Sequence, residues 1–184
     1  MNTTYYSRLN TIERTRLRRD VTTSEFRAAV AILVREDDHI CMIRRAVKEG
    51  DYWSGHMGFP GGRAEKADGT LLRTAIRETK EEIGIEVLEE SCVGRLSDLH
   101  HPKMQVAAFV FKAPLNYEFV LEESEVASVH WLPLHAFTET KYRSTRTALY
   151  KGKEYQAPVV NIGTADVWGI SLKFIENLIH RLKE

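Results

Sequence analysis

Apolar and polar positions alternate in a way that divides this chain into strands and two long helices. From Phe26 to Val34 almost every residue is apolar and many are Ala, Val or Ile, which predicts a buried strand. His39 to Arg44 reads as its partner, and the acidic Glu36-Asp37-Asp38 between them suits a hairpin turn. A glycine-rich loop, Gly55 to Gly62, leads into a helix expected over Gly69 to Ile83. Strands are expected near Val93 to Leu99 and Gln105 to Phe111, and another over Val126 to Leu132, ending at Pro133. Residues 136–158 are poorly patterned and read as irregular. A last helix is expected from Val167 to Leu182, because Trp168, Leu172, Ile175, Leu178/Ile179 and Leu182 keep helical spacing; Asp166 reads as its cap. Residues 6–19 read as a charged helix with Leu9, Ile12 and Leu17 along one side. Its arginines (Arg14, Arg16, Arg18, Arg19) read first as a solvated face and second as a substrate-facing arm. Strands interleaved with two substantial helices indicate a layered α/β domain.

Composition adds exclusions. The chain has 26 basic and 26 acidic residues, so net charge gives no support to general nucleic-acid or membrane binding. Cys41 and Cys92 lie far apart and form no Cys-x-x-Cys pair, which predicts reduced thiols rather than a disulfide framework or zinc site. No stretch reaches the roughly 18 apolar residues needed to span a bilayer, and the first residues lack a signal-like apolar run. A cytoplasmic setting is the expectation.

Chemistry concentrates between Gly61 and Gly84. Residues on a helix rotate by about 100° each, so Glu78, Glu81 and Glu82 share one arc. Leu72, Ala75, Ile76, Thr79 and Ile83 form the neighbouring apolar stripe. The helix can therefore bury that stripe while holding three carboxylates at the edge of the core. Like charges this close resist ionisation unless something positive compensates. Arg77 can pair with Glu81 at the i, i+4 spacing, but one arginine does not neutralise three carboxylates. Hard oxygen ligands without histidine or thiolate suit Mg²⁺ or Mn²⁺. Glutamate runs on helices are usually just solvated; the company of Gly61-Gly62 changes that reading, because glycine lets a phosphate approach the backbone N–H groups closely. Gly84 is placed to end the helix.

These residues resemble the Nudix box, Gly-x5-Glu-x7-Arg-Glu-U-x-Glu-Glu-x-Gly-U with U apolar, at Gly62, Arg77, Glu78, Glu81, Glu82, Gly84 and Ile85. Asp68 stands where the first Glu belongs, with one extra residue before Arg77, and Thr79 replaces an apolar residue. A branch similar to coenzyme A diphosphatases has Gly-Gly-x-x-Glu-x-x-Asp-x5-Thr-Ala-x-Arg-Glu-x-x-Glu-Glu, which Gly61, Gly62, Glu65, Asp68, Thr74, Ala75, Arg77, Glu78, Glu81 and Glu82 fit without a gap. Phe59-Pro60, Glu125-Val126, Trp131-Leu132-Pro133-Leu134 and Val167-Trp168-Gly169 extend the likeness over about residues 26 to 182. Upstream, Arg45-Ala46 and Gly55-x3-Phe59-Pro60-Gly61-Gly62 fit the coenzyme A signature, whereas Gly50-Asp51 fall near the place of its second arginine.

The resemblance implies a Nudix-like α/β/α sandwich with a mixed central sheet, over residues 25–184, behind an N-terminal extension, 1–24. It implies a metal-dependent hydrolase that cuts a diphosphate linkage in a nucleotide derivative, coenzyme A-like first, with ADP-ribose or a nucleoside diphosphate sugar as alternatives. A non-catalytic nucleotide-binding module is the reading from another class. Glu78 and Glu82 are implied as metal ligands, Glu81 as a third ligand or base, and Arg77 as the residue that orients them. Gly61, Gly62, Arg45 and Arg63 are the phosphate-binding candidates. Glu65 and Asp68 are expected to support the site or cap the helix, and one of Glu122, Glu123 and Glu125 to complete it. His56, His100-His101, Lys103 and Arg95 are weaker substrate candidates; Trp53, Trp131 and Trp168 are assigned to packing. A homodimer is an expectation by analogy only.

Overall fold

The computed structural model describes residues 4–12, 27–51, 53–101, 104–113, 118–150 and 152–183. Its centre is a strand whose two faces are both buried. Strand β1 (Arg27–Arg35) and strand β2 (His39–Arg45) form the expected hairpin, with Asp38 in the left-handed region at φ 61° in the turn. In β1, Ala29, Ala31 and Leu33 point to one side; Ala28, Ile32 and Val34 point to the other. Two cores follow from this period of two, one on each side of a single sheet.

The loop expected from Gly55 to Gly62 instead contains two short strands, β3 (Met57–Gly58) on β2 and β4 (Gly61–Arg63) on β1. Helix α2 (Leu71–Ile83) follows, then β5 (Cys92–Arg95), β6 (Leu99–His101), β7 (Met104–Ala113) and β8 (Val126–Pro133). The sheet order is β3-β2-β1-β7-β5, with β4 paired to β1, β6 to β7 and β8 to β2. Strands β1 and β7 run parallel through nine residue pairs while their neighbours are antiparallel, so the sheet is mixed. The one strand expected over 93–99 is two, since β5 ends at Arg95 and β6 begins at Leu99, with Asp98 between them accepting from Arg27, Arg95 and Gln105.

Residues 136–158 are not irregular. Strands β9 (Arg143–Tyr150) and β10 (Lys153–Ile162) form a hairpin, and β11 (Ala165–Trp168) joins β10 to complete a three-stranded sheet. The hairpin escaped the pattern because few of its residues are buried, among them Ala148, Ala157, Val159 and Val160. Helix α3 (Gly169–Lys183) therefore starts after Trp168, and Asp166 lies in a strand rather than capping it.

Helix α2 closes one face with Leu71, Ala75 and Ile83; α3 closes the other with Leu172, Phe174, Ile175, Leu178, Ile179 and Leu182. The result is an α/β/α sandwich. Of the segment expected as a helix over 6–19, α1 (Tyr5–Arg8) and a 3₁₀ turn (Leu9–Thr11) are described. Leu9 and Ile12 are buried in the α3-side core, and Asp38 accepts from the Tyr5 and Tyr6 N–H groups. Leu17 and Arg14, Arg16, Arg18 and Arg19 lie outside the described residues. Cys41 and Cys92 are buried free thiols, and burial pushes Cys41 up to about 12. No helix among the described residues is long and apolar enough to cross a membrane.

Candidate functional site

Helix α2 is placed by its ends. Thr70 caps the N-terminus, accepting from the Arg73 N–H, and Gly84 ends the helix with its N–H on the Lys80 carbonyl. The buried face is broader than the apolar residues alone indicate, because Thr74 and Thr79 are fully buried too. Thr79 is tolerated there since its hydroxyl donates back to the Ala75 carbonyl at 2.7 Å. Glu82 consequently falls within the buried face and is 2% exposed.

A buried carboxylate needs partners. Glu82 accepts from the Gly61 N–H at 2.9 Å. Burial nonetheless pushes its carboxyl up to about 8, against that hydrogen bond, with Glu78 and Glu125 adding like charge and Arg45 opposing them. Glu78 is raised in the same direction, first by burial. Its carboxylate lies directly against Gly62, where any Cβ would meet it within 2.5 Å; a Cβ on Gly61 would strike the Ala29 carbonyl oxygen. The two glycines thus let the β4 backbone and the two carboxylates come together.

Arg77 organises the rest. Its Nη1 donates to Glu78 at 3.0 Å and to Glu81 at 2.8 Å, confirming the expected i, i+4 pair. Its Nε and Nη2 hold Asp68 at 2.8 and 3.1 Å, and Nη2 also reaches the Arg63 carbonyl. Asp68 is buried in a 3₁₀ turn (Lys66–Asp68) and further accepts from the Thr74 hydroxyl and the Glu65 N–H. Burial alone would raise its pKa; the bonds from Arg77, Glu65 and Thr74 outweigh this and hold it at about 2. Asp68 thus anchors Arg77, and it is Thr70 that caps α2.

Glu81 is drawn out to Arg77 with its side chain 58% exposed, while Glu82 turns inward. Among the described residues no three His, Cys, Asp or Glu side chains converge as a ready ligand set. The donors nonetheless fit a divalent cation in kind: Glu78 and Glu82 are carboxylates whose charge is made costlier by Glu125, a third carboxylate. Of the three late acidic candidates, Glu125 is the one whose field reaches Glu78 and Glu82. The Glu122 backbone N–H bonds the Glu82 carbonyl, but its side chain and that of Glu123 face solvent.

A NUDIX domain family model matches residues 25–151. The chain belongs to the NUDIX family. NUDIX enzymes are hydrolases that generally use divalent metal ions, and this chain is a hydrolase of that family. A protein described as an uncharacterized Nudix hydrolase, NudL, from Yersinia pestis is 29% identical over 160 residues, 85% of this chain and 79% of that one. A Schizosaccharomyces pombe protein is 37% identical over 105 residues, 52% of this chain, and the match spans only 32% of the yeast protein. A MutT protein from Methanosarcina mazei Go1 shares the fold with a TM-score of 0.58 at 18% identity, covering 90% of this chain and all of that one. A MutT/nudix family protein from Enterococcus faecalis gives a TM-score of 0.54 at 16% identity, over 88% and 63% of the two chains.

The other candidates of this NUDIX chain divide cleanly. Arg45 stands beside the carboxylates, pairs with Asp51 at 3.2 Å, and keeps a buried Nε with no acceptor among the described residues. Arg63 projects into solvent. Arg95 is buried and bound to Asp98 by two nitrogens, so it is structural. His100 is exposed on β6, the His101 side chain and Lys103 lie outside the described residues, and Trp131 packs against Phe119 with Arg35 over its ring. His56 and Trp168 meet edge to face with centroids 5.0 Å apart. Asp51 takes a role its position in the sequence does not indicate, that of holding Arg45, and Arg146 lies on a strand that carries no clear pattern.

Proposed function

We propose that this NUDIX hydrolase uses a Mg²⁺ or Mn²⁺ ion to cut a diphosphate linkage in a nucleotide derivative, with coenzyme A-like compounds preferred. The observation that carries the reading is Glu82: a buried carboxylate raised to about 8 beside two others and against the Gly61 N–H. A fold keeps so costly a group where a cation relieves it. Glu78 and Glu82 would hold the ion, and Glu81 or Glu125 would supply a further carboxylate. When bound, the ion offsets charge on the diphosphate and lowers the pKa of a coordinated water.

The chain's own residues supply positioning, the dominant need of displacement at phosphorus. Arg77 fixes Glu78 and keeps Glu81 at the rim, where Glu81 takes the proton of the attacking water. Water oxygen bonds to phosphorus, the anhydride P–O bond breaks, and the leaving phosphate departs with its electron pair. Gly61 and Gly62 admit phosphate oxygens close to the β4 backbone, and the unspent Nε of Arg45 donates to one of them. Arg63, next to Gly62, meets the outer phosphate.

The test is incubation of purified protein with coenzyme A, ADP-ribose and nucleoside diphosphate sugars, with Mg²⁺, Mn²⁺ or EDTA, resolving the products by chromatography. Metal-dependent cleavage at the diphosphate, fastest with coenzyme A and leaving one phosphate of the linkage on each product, is expected. Faster cleavage of ADP-ribose or a nucleotide sugar replaces the substrate reading. Tight nucleotide binding that ignores EDTA, without turnover, would overturn the catalytic one.

A further inference from the structure

A second cluster of charged and aromatic side chains is built where the two sheets meet. It comprises Arg44 of β2, His56, Arg146 of β9, and Asp166 and Trp168 of β11. Asp166 is shared by two guanidinium groups: Arg146 Nη1 reaches it at 3.0 Å and Arg44 Nη1 at 3.4 Å. Arg44 has further structural work, donating to the Gly55 carbonyl at 2.9 Å and the Thr164 carbonyl at 2.7 Å. It ties the loop before β3 to the turn before β11.

Arg146 is held differently. Its guanidinium carbon lies 4.4 Å from the centre of the Trp168 ring, and Asp166 is its one hydrogen-bonding partner among the described residues. The contact uses Nη1, so the edge formed by Nε and Nη2 has no protein acceptor. That edge is the side of an arginine that pairs with two oxygens of one phosphate. Stacking on Trp168 and the bond to Asp166 fix the fork in advance, which lowers the entropy cost of binding. Two guanidinium groups facing one carboxylate also leave a surplus positive charge in half-buried surroundings.

The cluster adjoins the carboxylate site. His56 is packed on Trp168 and lies in the fields of Arg146 and Asp166 and also of Arg45 and Asp51. Arg45 in turn lies in the field of Glu82. Two arginines with unspent donors, Arg45 and Arg146, therefore lie within electrostatic reach of one histidine.

We propose that Arg146 binds a phosphomonoester of the substrate, separate from the diphosphate that is cut, so that the enzyme selects nucleotides carrying an additional phosphate. The proposal rests on the diphosphatase reading above and assigns its specificity.

Coenzyme A and 3′-dephospho-coenzyme A differ by one phosphomonoester, so the ratio of their kcat/KM values reads the site directly. Wild type should favour coenzyme A, and Arg146→Gln should reduce that ratio by roughly tenfold to a hundredfold, the worth of charged hydrogen bonds. Arg146→Lys, which keeps the charge and loses the fork, should recover part of it. An unchanged ratio in Arg146→Gln, in protein with the wild-type Tm, overturns the proposal. Calorimetric binding of adenosine 3′,5′-bisphosphate against AMP separates this outcome from failure of the diphosphatase reading. If neither coenzyme is cleaved, yet the bisphosphate binds tenfold tighter and Arg146→Gln abolishes the difference, the Arg146 site stands without that activity. Equal affinities would remove the site.

Discussion

Arg77 grips Asp68 with both ends of its fork, Nε to Oδ1 at 2.8 Å and Nη2 to Oδ2 at 3.1 Å, while its Nη1 holds Glu78 and Glu81. A buried aspartate outside the helix thus sets the direction of an arginine, and the arginine sets two glutamates. The chain of contacts explains why the site carries a buried carboxylate whose bonds go to Arg77, Thr74 and the Glu65 N–H.

Asp68→Asn removes the charged partner and leaves Arg77 free to rotate. We expect a loss of about 1.5–3 kcal/mol in urea unfolding at pH 7, together with a lower kcat. Acid titration gives an independent reading. The folded pKa of about 2 lies below the ordinary 3.8, so the stabilisation is complete above pH 4 and lost as pH falls through 2. It amounts to about 2 kcal/mol. The variant should lack this part of the acid dependence.

Glu82 predicts the opposite slope. Its carboxyl, raised from 4.5 to about 8, takes up a proton in the fold that the unfolded chain releases, so metal-free stability should decline as pH rises from about 4.5 to 8. Glu82→Gln should abolish that decline and raise the metal-free Tm at neutral pH. A Tm below wild type at pH 8 would count against the buried, uncompensated carboxylate.

Gly62→Ala places a Cβ against the Glu78 carboxylate and must push it aside. A displacement near 1 Å costs on the order of a hundredfold in rate. Circular dichroism should find the fold kept, and steady-state kinetics should find kcat reduced.

Thr70→Ala serves as the contrast. Losing the bond to the Arg73 N–H should cost about 1 kcal/mol of stability by thermal melting, with kcat within a factor of two.

How much of this was visible in the chain depended on whether one local period decided it. The glutamate arc followed from the 3.6-residue turn, and the β1–β2 hairpin from its apolar run and acidic turn. Asp68 could be named but not placed, since its burial depends on a 3₁₀ turn and on Arg77 nine residues later. The β9–β10 hairpin was hidden because most of its side chains face solvent, leaving no strict alternation. Asp166 looked like a cap because Val167 and Trp168 continue the apolar pattern of α3, although the strand ends at Trp168. Among the late glutamates, the Glu122 carbonyl accepts from the Glu125 and Val126 N–H groups. This turn brings Glu125 back toward α2, and no spacing rule foretells it.

In the proposed reaction the Glu78/Glu82 pair beside Gly61-Gly62 binds the catalytic cation. Wild type and Glu82→Gln should be compared for Mn²⁺ affinity by calorimetry and for diphosphate hydrolysis under saturating metal. The variant, folded and at least as stable, should lose Mn²⁺ binding and at least a hundredfold in kcat. Wild-type Mn²⁺ binding and turnover in the variant would remove Glu82 from the metal site.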